Sequence, residues 1–329
     1  MNALAISLQT YFTTFAHAQR DLSINTIASY RDTWRMLMKY LTVTLGIPAD
    51  ALDFDAVTAA HVTGFLDHLE HVRGNSSRTR NARLTAIRAV LGRALPDHPE
   101  YAATITQVLA IPPKRTIRPV IEFLTPVEVD ALLDAPDSTT WTGRRDHSLL
   151  TMTAQTGLRI SEICSLTLDD IHLGTGPHIA CTGKGRRQRI TPLTRATVST
   201  MTNYLAERMT RPGSALFCGP HGQPLSRDAL EHRLAKHVAT AAHTCPSLNA
   251  KRVTMHTLRH TAAMNLLSAG VDVSVIALWL GHADTHSTNA YLHADMAIKQ
   301  AAIDRTRPPN VKPGTYQPEP DILAWLTSL

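Results

Sequence analysis

The chain has 329 residues, of which 43% are hydrophobic, so it has room for two domains, each with its own core. Its formal net charge of +6 favours a polyanionic partner. No stretch approaches the roughly 18 uninterrupted apolar residues of a membrane span, the first residues lack the basic region of a signal peptide, and Cys164, Cys181, Cys218 and Cys245 include no C-x-x-C pair, which argues against a zinc ribbon or a disulfide framework and for reduced thiols in a cytoplasmic protein.

Residues 1–110 read as a helical domain. Leu4, Leu8, Tyr11, Phe12 and Phe15 recur at helical spacing. Ser23 is suited to cap a helix through Ile27, Tyr30, Trp34, Leu37, Met38 and Leu41. A third helix is predicted from Val57 to Leu69 and a fourth from Ser77 to Leu95; no alternating strand pattern interrupts them. Residues 111–119 contain Pro112, Pro113 and Pro119 with Lys114, Arg115 and Arg118, the composition of an irregular linker able to touch a phosphate backbone or simply to be solvated.

A second domain is expected over residues 120–309. Thr125-Pro126-Val127-Glu128 carries a capping box with proline at the first helical position. Ser148 to Thr156 reads as a helix closed by Gly157. His178 to Thr182 and Gln188 to Pro192 flank the turn Gly183-Lys184-Gly185-Arg186-Arg187, which predicts a β-hairpin. Helices dominate beyond it, among them Thr257 to Ala269 and Val273 to Leu280. Residues 310–329 are proline-rich at first and end in Ile322, Leu323, Trp325, Leu326 and Leu329, an apolar stripe fit for a short helix seeking a groove. The expected fold is therefore mainly α with a small β-hairpin in the second domain, an α+β arrangement.

Five segments of the second half carry side chains suited to a phosphodiester: Thr156 to Glu162 with Arg159, Gly183-Lys184-Gly185, His256 to His260 with Arg259, Leu280-Gly281-His282, and Ala290-Tyr291. Arginine forks match phosphate oxygens better than lysine does. His256 and Arg259 stand three residues apart and share a helix face. Lys184, between two glycines, could protonate a leaving 5′ oxygen or merely touch phosphates, the role that fits Arg186, Arg187 and Arg189. Histidines move protons near neutral pH, and Tyr291 becomes a nucleophile where cations and a base surround it. Each residue alone is more often structural; the set is what points to chemistry. His256 and His260 stand at the i, i+4 spacing of metal ligands, but the glutamate of H-E-x-x-H is missing, so no metal is expected, and His260 reads as support for the site. No Walker-type glycine loop is present, and no cofactor is called for.

The run from Met255 to His293, with Leu258-Arg259-His260-Thr261, Leu280-Gly281-His282 and Tyr291, resembles the signature of the tyrosine recombinases, the phage integrase family. Thr156 to Leu166 resembles the family's first arginine box, and Gly183 to Leu193 its lysine hairpin. Ser23 to Arg31 and Ser76 to Arg88 resemble, more weakly, its core-DNA-binding domain. The resemblance implies that Arg159, Lys184, His256, Arg259, His282 and Tyr291 form the active site. Glu162 would then orient it. Tyr291 would attack the scissile phosphate to give a 3′-phosphotyrosyl link and a free 5′-hydroxyl. The resemblance also implies double-stranded DNA clamped between two domains, a homotetramer on two DNA sites, and a tail docked on a neighbouring protomer or on its own domain. Partner recombinases or accessory proteins fit the same picture. DNA contacts are expected from Arg78, Arg80, Arg83 and Arg88 on the fourth helix as well as from the linker. Gln155 departs from the aromatic residue usual before Thr-Gly. The core-binding motif begins near residue 5, as in compact Xer-like or transposon-encoded members without an arm-binding domain. Two other readings remain at this point: a type IB topoisomerase, and a DNA-binding protein that does not cleave.

Overall fold

The computed structural model describes residues 2–116, 121–183 and 188–281. The chain divides into two compact units, Met1–Pro119 and Val120–Leu329. The expectations for Arg118, Lys184, Arg186, Arg187, His282, Tyr291 and the tail 310–329 fall outside the described residues.

The first unit is built of helices. Helix α1 (Ala3–Thr10) runs on into a π-helical turn (Tyr11–Gln19) on which the rings of Phe12 and Phe15 pack against Tyr11, with centroids 5.3 and 5.4 Å away. Helix α2 (Ile24–Leu45) starts where Ser23 Oγ accepts from the Thr26 amide at 3.2 Å and stops at Gly46. Its buried residues Ile27, Trp34, Leu37 and Leu41 form one stripe. Helix α3 (Ala59–His71) begins two residues later than its apolar pattern suggests, because Thr58 caps it and Val57 closes a short 3-10 turn, Phe54–Ala56. Helix α4 (Ser77–Ala94) fits the prediction; helix α5 (Ala102–Leu109), rich in β-branched residues, was not delimited by it. Leu84, Ile87, Val90 and Leu91 of α4 meet Trp34, Phe65, Leu66, Ile105 and Val108 in one core. The Trp34 indole donates to the Ala86 carbonyl at 3.3 Å, tying α2 to α4.

The linker is anchored to this unit at its start. Asn81 Nδ2 donates to the Lys114 carbonyl at 2.7 Å, and the Lys114 amide donates to Asn81 Oδ1 at 3.0 Å. The Lys114 ammonium pairs with Glu70.

The second unit opens with helix α6 (Pro126–Asp134), whose capping box forms as predicted: Thr125 Oγ1 accepts from the Glu128 amide, and Glu128 Oε2 accepts from the Thr125 amide at 2.8 Å. Helix α7 (Trp141–Thr156) starts a full two turns before the predicted Ser148, since Thr140 caps it by accepting from the Gly143 amide at 3.0 Å. Short helix α8 (Ile160–Ser165) follows. Strands β1 (Ile171–His172), β2 (His178–Thr182) and β3 (Gln188–Pro192) form an antiparallel sheet in sequence order. The predicted hairpin is thus present, and the two-residue β1 is added to it. Helices α9 (Arg195–Arg208), α10 (Arg227–Ala241), α11 (Met255–Ser268) and α12 (Val273–Leu280) complete the described part. The chain is mainly α with a small sheet, the fold class expected.

Leu149, Leu150, Met152, Leu158, Ile163, Ile179, Met201, Leu230, Leu234 and Leu258 belong to one core, and Ala263, Met264, Leu267, Ile276 and Leu280 form a smaller one between α11 and α12. A charged cluster is buried beside them. Asp146 accepts from Arg145 at 2.7 and 3.0 Å, from His237 Nε2 at 2.9 Å and from Arg233 at 3.1 Å, which spreads one carboxylate over three partners.

Candidate active site

Two glycines shape the site. Gly157 ends α7 in the left-handed region at φ 65°, and a Cβ there would lie 2.7 Å from Leu280 Cδ2 and 3.1 Å from Ala262 Cβ. Only glycine allows both the turn and this approach. The turn delivers Arg159 to the start of α8. Gly281, at φ 64°, closes α12 in the same way.

The last turn of α12 gathers three arginines from three other elements. Arg189 Nε, on β3, donates to the Trp279 carbonyl at 3.1 Å. Arg259 Nη2, on α11, donates to the Leu280 carbonyl at 2.6 Å, and its Nη1 to the Gly157 carbonyl at 2.7 Å. Arg159 Nη2 donates to the Gly281 carbonyl at 2.9 Å. Carbonyls at a helix C-terminus have no partner within the helix and carry partial negative charge, so they suit guanidinium groups well. The Trp279 indole adds a bond to the Thr156 carbonyl at 3.2 Å. Segments far apart in sequence, around 157, 189, 259 and 280, therefore converge just before His282.

Glu162 holds two of these arginines. Its Oε1 accepts from Arg159 Nη1 at 2.9 Å and from Arg189 Nη1 at 2.8 Å. Its Oε2 accepts from the Arg159 amide and from Arg189 Nη2, both at 2.7 Å. Burial pushes this carboxyl up, yet the bonds from Arg189 and Arg159 outweigh burial and hold it below the usual carboxylate range. The orienting part expected of Glu162 thus has a geometric basis. Among the described residues, the carboxylate of Glu162 is shared by two of the three guanidinium groups. The Arg159 side chain is 30% exposed, whereas Arg259 is 2% exposed.

His256 lies at the first turn of α11 with its ring against that of His260, centroids 4.2 Å apart and edge to face. Desolvation first, then the positive charges of Arg259 and Arg159, hold the His256 pKa below its ordinary value, although part of the residue is exposed. These surroundings favour the neutral ring, the form that can accept a proton. Cys181, paired across the hairpin with Arg189, is raised to about 11 by burial and stays a neutral thiol.

Several arginines expected on DNA are committed elsewhere. The Arg189 side chain is only 10% exposed and turned inward onto Glu162, not outward as a phosphate contact. Polarity alone would turn Ile190 inward and Arg189 outward; on β3 the reverse holds, with Ile190 64% exposed and Arg189 facing in. In the first unit Arg80 is 4% exposed and lies 3.7 Å from Glu70. Arg83 donates to the Ser29 carbonyl at 3.1 Å and to Thr33 Oγ1 at 2.9 Å, and Arg88 donates to the Ile111 carbonyl. Helix α4 is packed by neighbours on more than one side, so its arginines tie α2 and the linker to it. Arg78 and Arg115 are exposed, and Lys114 is exposed while paired to Glu70.

Residues 122–297 match the model of the phage integrase family, and residues 7–98 match the phage integrase SAM-like domain. The chain belongs to the phage integrase family of tyrosine recombinases. It is 46% identical over 327 residues to a Sinorhizobium fredii (strain NBRC 101917 / NGR234) protein, y4rC, named as an integrase/recombinase, covering 99% of this chain and 98% of that one. It is 32% identical over 289 residues to the tyrosine recombinase XerD of Staphylococcus saprophyticus, covering 85% of this chain and 91% of the other. A crystal structure of the XerH site-specific recombinase bound to a palindromic difH substrate shares the fold, with a TM-score of 0.67 at 20% identity over 87% of this chain and 81% of that one. This recombinase is accordingly an enzyme of site-specific DNA recombination.

Proposed function

We propose that this recombinase breaks and rejoins DNA through a phosphotyrosine. The observation that carries the reading is the gathering of Arg159 and Arg259 on consecutive carbonyls at the end of α12, with neutral His256 beside them. The Tyr291 phenol attacks the scissile phosphorus and gives up its proton to His256. The bond from phosphorus to the 5′ oxygen breaks, and Lys184 protonates that oxygen. The products are a 3′-phosphotyrosyl link and a 5′-hydroxyl. Arg159, Arg259 and His282 bind the oxygens on which negative charge grows. Attack by a 5′-hydroxyl of a partner strand reverses the step and releases Tyr291. The phosphodiester's energy is kept in the link, so ATP is not consumed.

The unit 1–110 contacts duplex DNA through Arg78, and the linker through Lys114, Arg115 and Arg118. Arg186 and Arg187 touch phosphates beside Lys184. Four copies act on two DNA sites, each tail 310–329 docking on a neighbour, as part of a mobile element's integration or transposition machinery. All four cysteines are free thiols, which supports a reducing, cytoplasmic setting.

The test is covalent trapping. Wild type and Tyr291→Phe are incubated with nicked duplexes tiled from the DNA flanking the gene and run on denaturing gels. A protein–DNA adduct formed by the wild type alone is expected. An adduct with Tyr291→Phe would mean another nucleophile. Sequence-specific binding without any adduct would favour a protein that binds and does not cleave.

A further inference from the structure

Arg189 reaches two elements of the site from β3. Its two terminal nitrogens form a fork on Glu162, at 2.8 and 2.7 Å, and its Nε reaches the Trp279 carbonyl at 3.1 Å. It also lies against the turn that precedes His282: a Cβ on Gly281 would sit 2.8 Å from Arg189 Nη1. The same guanidinium therefore touches α8, through the carboxylate that holds Arg159, and the end of α12. Its own strand is the one that follows Lys184.

Glu162 receives four donated bonds, two from Arg159 and two from Arg189. Without Arg189 the carboxylate loses half of them while still buried, and it must move or take up a proton. Either change loosens the Arg159 side chain, whose other bond among the described residues is to the Gly281 carbonyl. A lysine offers one point charge and cannot serve a two-pronged carboxylate and a carbonyl together.

We propose that Arg189 is a positioning residue for strand cleavage: by bridging Glu162 and the Trp279 carbonyl, it fixes Arg159 and the lysine-bearing hairpin in one frame. The inference rests on the phosphotyrosine reading above and concerns a residue turned inward onto Glu162.

The experiment uses the full chain, the same nicked duplexes, and three readouts: adduct formation rate in single turnover, DNA affinity by gel shift, and folded fraction by circular dichroism. The variants are Arg189→Lys and the double change Arg189→Met with Glu162→Gln, which removes both charges of that pair while Arg159 keeps its bond to the Gly281 carbonyl. Both are expected to be folded at the assay temperature and to bind DNA like the wild type. Both should form the adduct roughly 100-fold more slowly, the size of effect that follows from misplacing a reacting group by about 1 Å. Raising the DNA concentration should not restore the rate. Wild-type rates in a folded variant would overturn the proposal. So would a slow rate that merely tracks an unfolded fraction, because that outcome gives Arg189 a role in the fold alone. If the wild type itself formed no adduct on DNA that it binds, the phosphotyrosine reading would fall first and this one with it.

Discussion

His256 shows how much a single residue's surroundings decide. Its ring titrates below the ordinary histidine range because burial and two nearby guanidinium groups disfavour the cation. A proton acceptor of this kind works while it is neutral. The adduct rate should therefore hold steady down to about pH 6.5 and fall only below it, as His256 becomes protonated. His256→Gln should flatten that acid limb. Stability follows the same sign. The folded state binds this proton less well than the unfolded state does, so the contribution of His256 is complete above about pH 6.5 and is lost as the pH falls through the lowered value. A proton NMR titration of the imidazole checks both statements; a pKa at or above 6.5 would contradict them. Residue types and spacing marked Arg159, His256 and Arg259 as suited to a phosphate, and the resemblance to the family's motifs is what made them active-site candidates. What spacing could not supply was the partner of each charge. Arg189 looks like Arg186 and Arg187 in the sequence, and only the pleat of β3 distinguishes it from them.

Elements were legible wherever local signals were strong. The capping box at Thr125, the hairpin strands and the bounds of α12 follow from cap residues, alternation and apolar periodicity. The start of a helix with a charged opening was not: α7 opens with Trp141-Thr142-Gly143-Arg144-Arg145-Asp146, whose charges find Glu207 of α9, the Cys218 carbonyl, and Arg233 and His237 of α10. Strand β1 is two residues long and has no pattern of its own. The joint between α7 and α8 depends on the conformation of one residue. Gly157→Ala would place a side chain at a positive φ and drive Cβ into Leu280. The expected cost is about 1–3 kcal/mol from backbone strain, together with displacement of Arg159. Thermal unfolding should show a lower Tm, and adduct formation should fall more than stability alone explains. An unchanged Tm would mean that the turn relaxes without cost.

For the molecule as a whole, acid is the revealing variable. Glu128 is buried, which raises its pKa, but bonds from Lys251, Ser247 and the Thr125 amide bring it to about 2. Glu162 and Asp146 are also held low, against burial, by their arginine and histidine partners. All three carboxylates stabilise the folded state when ionised. That stability is complete above their unfolded values near pH 4 to 4.5 and is lost as the pH falls through the folded ones. Urea unfolding followed from pH 6 to pH 2 should show a steep loss below about pH 4.5, and Glu128→Gln should make it shallower. A profile identical to the wild type would show that Glu128 is not linked to folding. The three pairs join α6 to the segment before α11, α8 to β3, and α7 to α10, so protonation loosens the second unit at several seams together.

Each of the three arginines at the end of α12 donates to a main-chain oxygen, and this has an electrostatic meaning. A carboxylate partner would cancel a guanidinium's charge; a peptide carbonyl is a dipole and orients the group while leaving its formal charge intact. Among the described residues, Glu162 is the carboxylate shared by Arg159 and Arg189. On the proposed reading, the arrangement of these cations is set once, during folding, and an arriving phosphate meets guanidinium groups already in place.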